Sequence, residues 1–188
     1  MIENYQKIND KLKQLSTQLY QLYLKNEFDQ FIFLKDVCNI KTGKLNADAA
    51  VSNGTYPFFT CGQNDLLIDD YAFDCKAIII AGNGEINCKF YEGKFNAYQR
   101  TYVLEPNQYF YLFLKQCELS VDNLKNNSQG SVIKFITKPM LEKISIPLNN
   151  QSSSINKKLE IVYKSILKNN LIINKLKEIK SKLLEKYF

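Results

Sequence analysis

Apolar residues recur along this chain in two rhythms. Near the N-terminus Ile8, Leu12, Leu15, Leu19 and Leu22 alternate steps of four and three, which predicts a helix with one apolar stripe, ending near Asn26. The C-terminal segment repeats that rhythm for longer, through Ile155, Leu159, Val162 and Ile166, then Asn169 in the same frame, then Ile173, Leu176 and Leu183. Pro147 can only precede such a helix, Gln151-Ser-Ser-Ser154 offers hydroxyl N-caps, and no Gly or Pro interrupts residues 155–188. The pattern predicts one helix of about nine turns, roughly 50 Å long. A domain of this size does not bury such a length alone, so the stripe from Ile155 to Leu183 is expected to be a coiled-coil dimer interface, with the polar Asn169 fixing register or partner. The alternative is an amphipathic helix folded back on its own domain.

Between the helices the rhythm changes to short runs rich in β-branched and aromatic residues. Ala77-Ile-Ile-Ile80, Cys88-Lys-Phe-Tyr91 and Thr101-Tyr-Val-Leu104 are separated by turns bearing Gly and Asn, and read as strands. One more helix is expected over residues 109–125, where Tyr109, Leu112, Phe113 and Leu119 recur at helical spacing. The resulting fold class is α+β: a β-rich domain over 29–150, preceded by a helix in 1–28 and succeeded by a long helix in 151–188.

Composition changes this picture mainly by exclusion. The chain has no histidine, which rules out Ser-His-Asp triads, Cys-His pairs and H-E-x-x-H metal sites. Cys38, Cys61, Cys75, Cys88 and Cys117 form no C-x-x-C pair and read as free thiols, with no metal site expected. No run of eighteen apolar residues occurs and the N-terminal residues resemble neither a signal nor a transit peptide, so a cytoplasmic protein without membrane contact is expected. The net charge of +6 is not spread evenly: residues 31–154 carry twelve basic and twelve acidic residues, whereas residues 155–188 carry nine lysines against three acids. Any phosphate contact in the middle region must therefore come from local clusters.

Few motifs carry chemistry. Ile80-Ala-Gly-Asn-Gly84 comes after an apolar strand but lacks the third glycine and the helix onset of a phosphate-binding loop, and reads as a strand-to-strand turn. Glu92-Gly93-Lys94 with Asp74 upstream has the residue types of a magnesium nuclease, yet Gly93 makes that triplet look like a hairpin turn. There remains a set of polar residues on turns: Lys41, Lys44, Gln63, Asn64, Asn83, Gln99, Arg100, Gln129 and Lys134. Arg can bridge two acceptors of guanine, Asn and Gln can bridge adenine's donor and acceptor, and Lys holds phosphates. These are the candidate DNA-binding residues. A protein-interaction module with a coiled coil and no DNA specificity is the reading from a different class.

The ordered set of motifs resembles the specificity subunits of type I restriction-modification systems. Leu34-Lys-Asp-Val37 with Gly43-Lys44 looks like the opening of a target recognition domain, and Gly54-Thr-Tyr-Pro-Phe58 looks like its next block. Ala77-Ile-Ile-Ile-Ala-Gly-Asn-Gly84 and Gly93-Lys-Phe95 leading to Thr101-Tyr-Val-Leu104 continue the pattern. Gly130-Ser131, then Ile144-Ser-Ile-Pro147, Gln151 and Ile155, resemble its close and the handover to the family's long helix. The chain departs from the family at residues 148–150, where a second proline and an acidic residue are common. The resemblance implies a non-catalytic chain of half the family's length, with one recognition domain rather than two. It also implies partners: double-stranded DNA, a methyltransferase subunit using S-adenosylmethionine, and a restriction subunit using ATP and magnesium, with no cofactor in this chain. A homodimer reading an inverted repeat would restore the second recognition domain.

Overall fold

The long C-terminal rhythm folds as one helix, α5 (Ser152–Tyr187), of 36 residues and therefore about 54 Å. The N-terminal helix α1 (Ile2–Tyr23) runs along it antiparallel. Asn9 Nδ2 donates to Asn170 Oδ1 at 2.8 Å and Asn169 Nδ2 donates to Asn9 Oδ1 at 2.8 Å, while at the other end the Tyr23 and Ser152 hydroxyls lie 2.7 Å apart. Ile155, Leu159, Val162, Ile166 and Ile173 lie on the α5 face that α1 covers and all are buried. Asn169 and Leu176 are half-buried and Leu183 is exposed. The face assigned to a second copy of the chain thus has much of its cover from the chain's own α1.

On α1 the seam is not the leucine stripe read from the sequence. Asn9, Ser16, Tyr20 and Tyr23 are buried, Leu12 and Leu19 are half-buried, and Ile8, Leu15 and Leu22 are exposed. The helix is rolled so that two tyrosine rings, which bury more area than two leucines, enter the seam, and the small Ser16 admits close approach. In the computed structural model, which describes residues 1–128 and 135–187, residues 1–27 and 149–188 form one unit and residues 28–148 a second.

The second unit is built on a six-stranded sheet of order β2-β7-β5-β6-β3-β4: β2 (Cys38–Thr42), β3 (Tyr56–Phe59), β4 (Leu66–Ile68), β5 (Phe73–Ala81), β6 (Cys88–Ala97) and β7 (Thr101–Pro106). A separate antiparallel pair joins β1 (Gln30–Phe33) to β8 (Ser145–Leu148). Side chains alternate across a strand, so the unbroken run Ala77-Ile-Ile-Ile80 on β5 must be covered on both faces. On one face Ala77 and Ile79 pack with Phe59, Phe95, Ala97 and Val103. On the other, Ile78, Ile80 and Leu104 are buried on the side where helix α3 (Phe110–Asn126) packs against β6 and β7. Two short helices, α2 (Leu34–Val37) and α4 (Lys138–Glu142), complete the unit.

The expectation of a turn at Glu92-Gly93-Lys94 is corrected: β6 runs through these residues without reversing. Gly93 takes φ +132°, open to a residue without Cβ, while its pairing with Cys75 carries the β5–β6 register on without a break. Asp74 pairs across the strands with Lys94, and Lys76 with Glu92. Lys94 Nζ sits 4.6 Å from the Tyr71 ring centre and Lys76 Nζ 4.5 Å from that of Phe110. Among the described residues no group of three acidic, cysteine or histidine side chains is arranged to hold a metal.

Candidate nucleic-acid interface

One end of the sheet gathers segments far apart in sequence, and main-chain hydrogen bonds hold them together. Gly43 N donates to Thr101 O at 3.3 Å, Gln99 N to Leu45 O at 2.9 Å, and Tyr98 N to Phe59 O at 2.9 Å. Gly82 N donates to Arg100 O at 2.8 Å, and Ile136 N to Gly82 O at 2.9 Å. Five stretches therefore converge: the chain after β2, the loop after β3, the β5–β6 turn, the β6–β7 turn, and the chain from residue 135 onward. Side chains tighten the arrangement, since the Tyr102 hydroxyl donates to Ile136 O at 3.2 Å and Gln99 Nε2 to Asn46 Oδ1 at 2.7 Å. A pocket of about 330 Å³ opens there, lined by Thr42, Gly82, Gln99, Arg100, Tyr102, Phe135 and Ile136.

Arg100 is the only arginine in the sequence, and it stands exposed at the rim of this pocket. Among the described residues its guanidinium has no carboxylate or hydrogen-bond partner. Burial pushes the Tyr102 phenol above its ordinary range while the neighbouring Arg100 charge draws it back, so the hydroxyl stays protonated near neutral pH. A free planar cation with donors in a fork, set beside a neutral phenol and the Gln99 amide, suits the paired acceptors of a base edge or a phosphate.

The structure brings most of the expected DNA-binding residues to this end. Lys44, Gln63, Asn64, Gln99 and Arg100 are exposed on the converging segments. Asn83 is half-buried, in an isolated antiparallel bridge with Phe135. Lys41 goes elsewhere: it pairs in register with Val103 and its ammonium forms a 2.9 Å ion pair with Glu105, so its side chain shares the face of Val103. Its neighbour Thr42 faces the pocket with Tyr102 instead. Gln129 and Lys134 lie outside the described residues.

Three contributors were not singled out from sequence. Thr42 and Tyr102 sit directly opposite each other in the β2–β7 ladder. Alternation along β2 could have marked Thr42, because Lys41 and Thr42 must point to opposite faces. Lys89 is the third. It lies on β6, and its ammonium bonds Gly62 O at 3.1 Å, Gln63 O at 2.9 Å and Asp65 Oδ1 at 2.7 Å. No local pattern marks it, because its partners are more than twenty residues away.

A family model described as "Type I restriction modification DNA specificity domain" matches residues 26–180. The type I restriction enzyme EcoDI specificity subunit of Escherichia coli is 42% identical over 123 residues, which are 63% of this chain and 27% of that protein. Among solved structures, the S subunit of a type I restriction-modification system from M. genitalium aligns over 100% of this chain and 56% of its own, with TM-score 0.73 and 20% identity. The HsdS subunit from Thermoanaerobacter tengcongensis aligns over 98% of this chain and 54% of its own, with TM-score 0.54 and 14% identity. At those identities the structural likeness is one of fold. The chain spans about a quarter of the curated relative's length and little more than half of the structural relatives'.

Proposed function

Because this chain belongs to the type I restriction modification DNA specificity family, we propose that it reads DNA sequence on behalf of a restriction-modification complex and does no chemistry itself. Residues 28–148 are the reading domain, and the end of the sheet around Arg100 is its reading surface. The observation that carries this is the convergence of five chain segments at one end of the sheet, where a pocket lined by Gln99 and the chain's sole arginine opens and Lys44, Gln63 and Asn64 stand exposed on the same segments. A major groove presents paired acceptors on guanine and a donor–acceptor pair on adenine, which Arg100, Gln63 and Asn64 can bridge while Lys44 meets phosphate. Methylation and cleavage belong to partner subunits, using S-adenosylmethionine, and ATP with magnesium.

A single reading domain suits a homodimer on an inverted repeat. The seam between α1 and α5 is occupied, but each helix keeps a second apolar stripe: Ile8, Leu15 and Leu22 on α1, and Ile161, Ile179 and Leu183 on α5, all exposed. Both stripes are displaced from the seam in the same rotational sense, and on antiparallel helices that sense brings them to one side of the pair. That side is available to a second copy. An α5 of about 54 Å is also long enough to separate two reading domains by a DNA turn of about 34 Å.

The test is selection of bound duplexes from a random pool at moderate salt, with and without the cognate methyltransferase subunit. One inverted-repeat motif with a fixed spacer is expected. No enrichment in either condition would leave a protein-interaction module as the better account.

A further inference from the structure

The three oxygens around Lys89 account for every N–H of its ammonium, and all three come from one loop, residues 62–65. We infer that Lys89 is a positioning residue for base reading: it presets the loop that carries Gln63 and Asn64 and makes no contact with DNA itself. The inference rests on the proposed reading surface and adds what orders one of its loops.

Lys89 is anchored on β6, opposite Ile79 at the centre of the sheet, and its side chain is only 20% exposed. Its ammonium lies 6.0 Å from the ring centre of Phe59, the last residue of β3, so it reaches across to the strand from which the loop departs. Two of its partners are backbone carbonyls at consecutive residues, and the third is the Asp65 carboxylate, which neutralises the charge. A second fastening holds the other side of the loop, where the Cys61 thiol donates to Arg100 O at 3.6 Å and lies 3.9 Å from the Thr101 hydroxyl. Between the fastenings, Gln63 and Asn64 are exposed and, among the described residues, their side chains have no partners. A loop held through its main chain, with free amides at its tip, enters the groove already ordered and gives up less conformational entropy on binding.

A lysine that touched phosphate would behave differently. Its removal would lower the slope of log K against log salt by about one and weaken all sequences alike. A positioning lysine should leave that slope unchanged and erase discrimination at the base pairs its loop reads.

The experiment compares the full-length chain with its Lys89→Met and Lys89→Arg variants, in duplex selection, in salt titration and in amide hydrogen exchange of the loop. The expected result for Lys89→Met is at least tenfold faster exchange confined to residues 61–65, an unchanged salt slope, and loss of preference at one or two base pairs of a motif otherwise kept. Lys89→Arg, which retains several donors, is expected to restore part of the preference. Unchanged loop exchange in Lys89→Met overturns the inference, as does a salt slope lowered by about one, or preference retained with a loosened loop. If the wild-type chain itself selects no motif, the recognition reading falls and the role of Lys89 with it. That failure shows in the wild type, whereas failure of the inference alone shows only in the variants.

Discussion

At the scale of single residues, the proposed reading surface depends on side chains whose removal should leave the fold intact. Arg100 has its backbone tied into the sheet end but its guanidinium free among the described residues. Arg100→Ala is therefore expected to leave the melting temperature nearly unchanged while costing about 1–3 kcal/mol of specific binding and relaxing one base position, as read by titration against single-substituted duplexes. Gly43 is the opposite case. A Cβ there would lie 1.7 Å from Ala97 O, which is backbone and cannot step aside. Gly43→Ala should destabilise the protein by more than about 3 kcal/mol, a loss that denaturant unfolding would register. The thiols give a pH prediction. Burial pushes Cys38 up to about 11 and Cys75 up to about 12, the latter with help from Glu105. Both should alkylate with iodoacetamide at pH 8 more slowly than free cysteine, by mass spectrometry. Their neutral forms are favoured in the fold, so the stability Cys38 lends is complete below the ordinary value of 9.0 and is lost as pH rises toward about 11.

At the scale of elements, the seam between α1 and α5 is specified by amides as much as by apolar burial. Asn9 bridges Asn169 and Asn170, and Leu in its place leaves both without that partner. Asn9→Leu should cost about 1–2 kcal/mol in thermal unfolding, and pairing it with Asn169→Leu should recover part of the loss, because two apolar groups leave less unsatisfied than one. This seam also marks how far the sequence could be read. The periodicity of α5, the two-sided apolar run of β5 and the helix after residue 109 were legible, because each signal lies within one element. The α1 seam was not: the leucine spacing is regular, but Tyr20 and Tyr23 outweigh Leu15 and Leu22 in area, and the sequence does not say which stripe meets a partner. Gly93 is ambiguous in sequence for a similar reason, since a glycine between polar residues looks alike whether the strand turns or runs on. The candidate site was legible in its residue types and partly in its members. Its assembly was not, because it rests on main-chain bonds between residues as distant as Gly82 and Ile136, which leave no trace in side-chain patterns.

At the scale of the whole molecule, the apolar stripe beside the seam should make association measurable. Sedimentation equilibrium at micromolar concentration is expected to give twice the mass of one chain, and replacing Leu15 and Ile179 by lysine to give a monomer. A monomeric wild type would remove the homodimer from the proposed function and leave the reading domain untouched. The excess of lysines over acids in residues 155–188 further predicts DNA affinity that falls steeply with salt.

Most of the bonds that join the converging segments run from backbone to backbone, which almost any residue can make, and further fastenings come from the half-buried side chains of Cys61, Lys89 and Tyr102. Of the positions that would face DNA, 44, 63, 64, 83, 99 and 100, Gln99 alone among the described residues lends its side chain to the frame, through one exposed bond to Asn46, so these positions can vary without dismantling it. In evolutionary terms such a surface can acquire a new target by drift at a few codons, with no loss of foldability along the way. A library randomised at those six positions should consist mostly of soluble, folded chains, and a library that mostly aggregates would show that the side chains, not the backbone, hold the frame together.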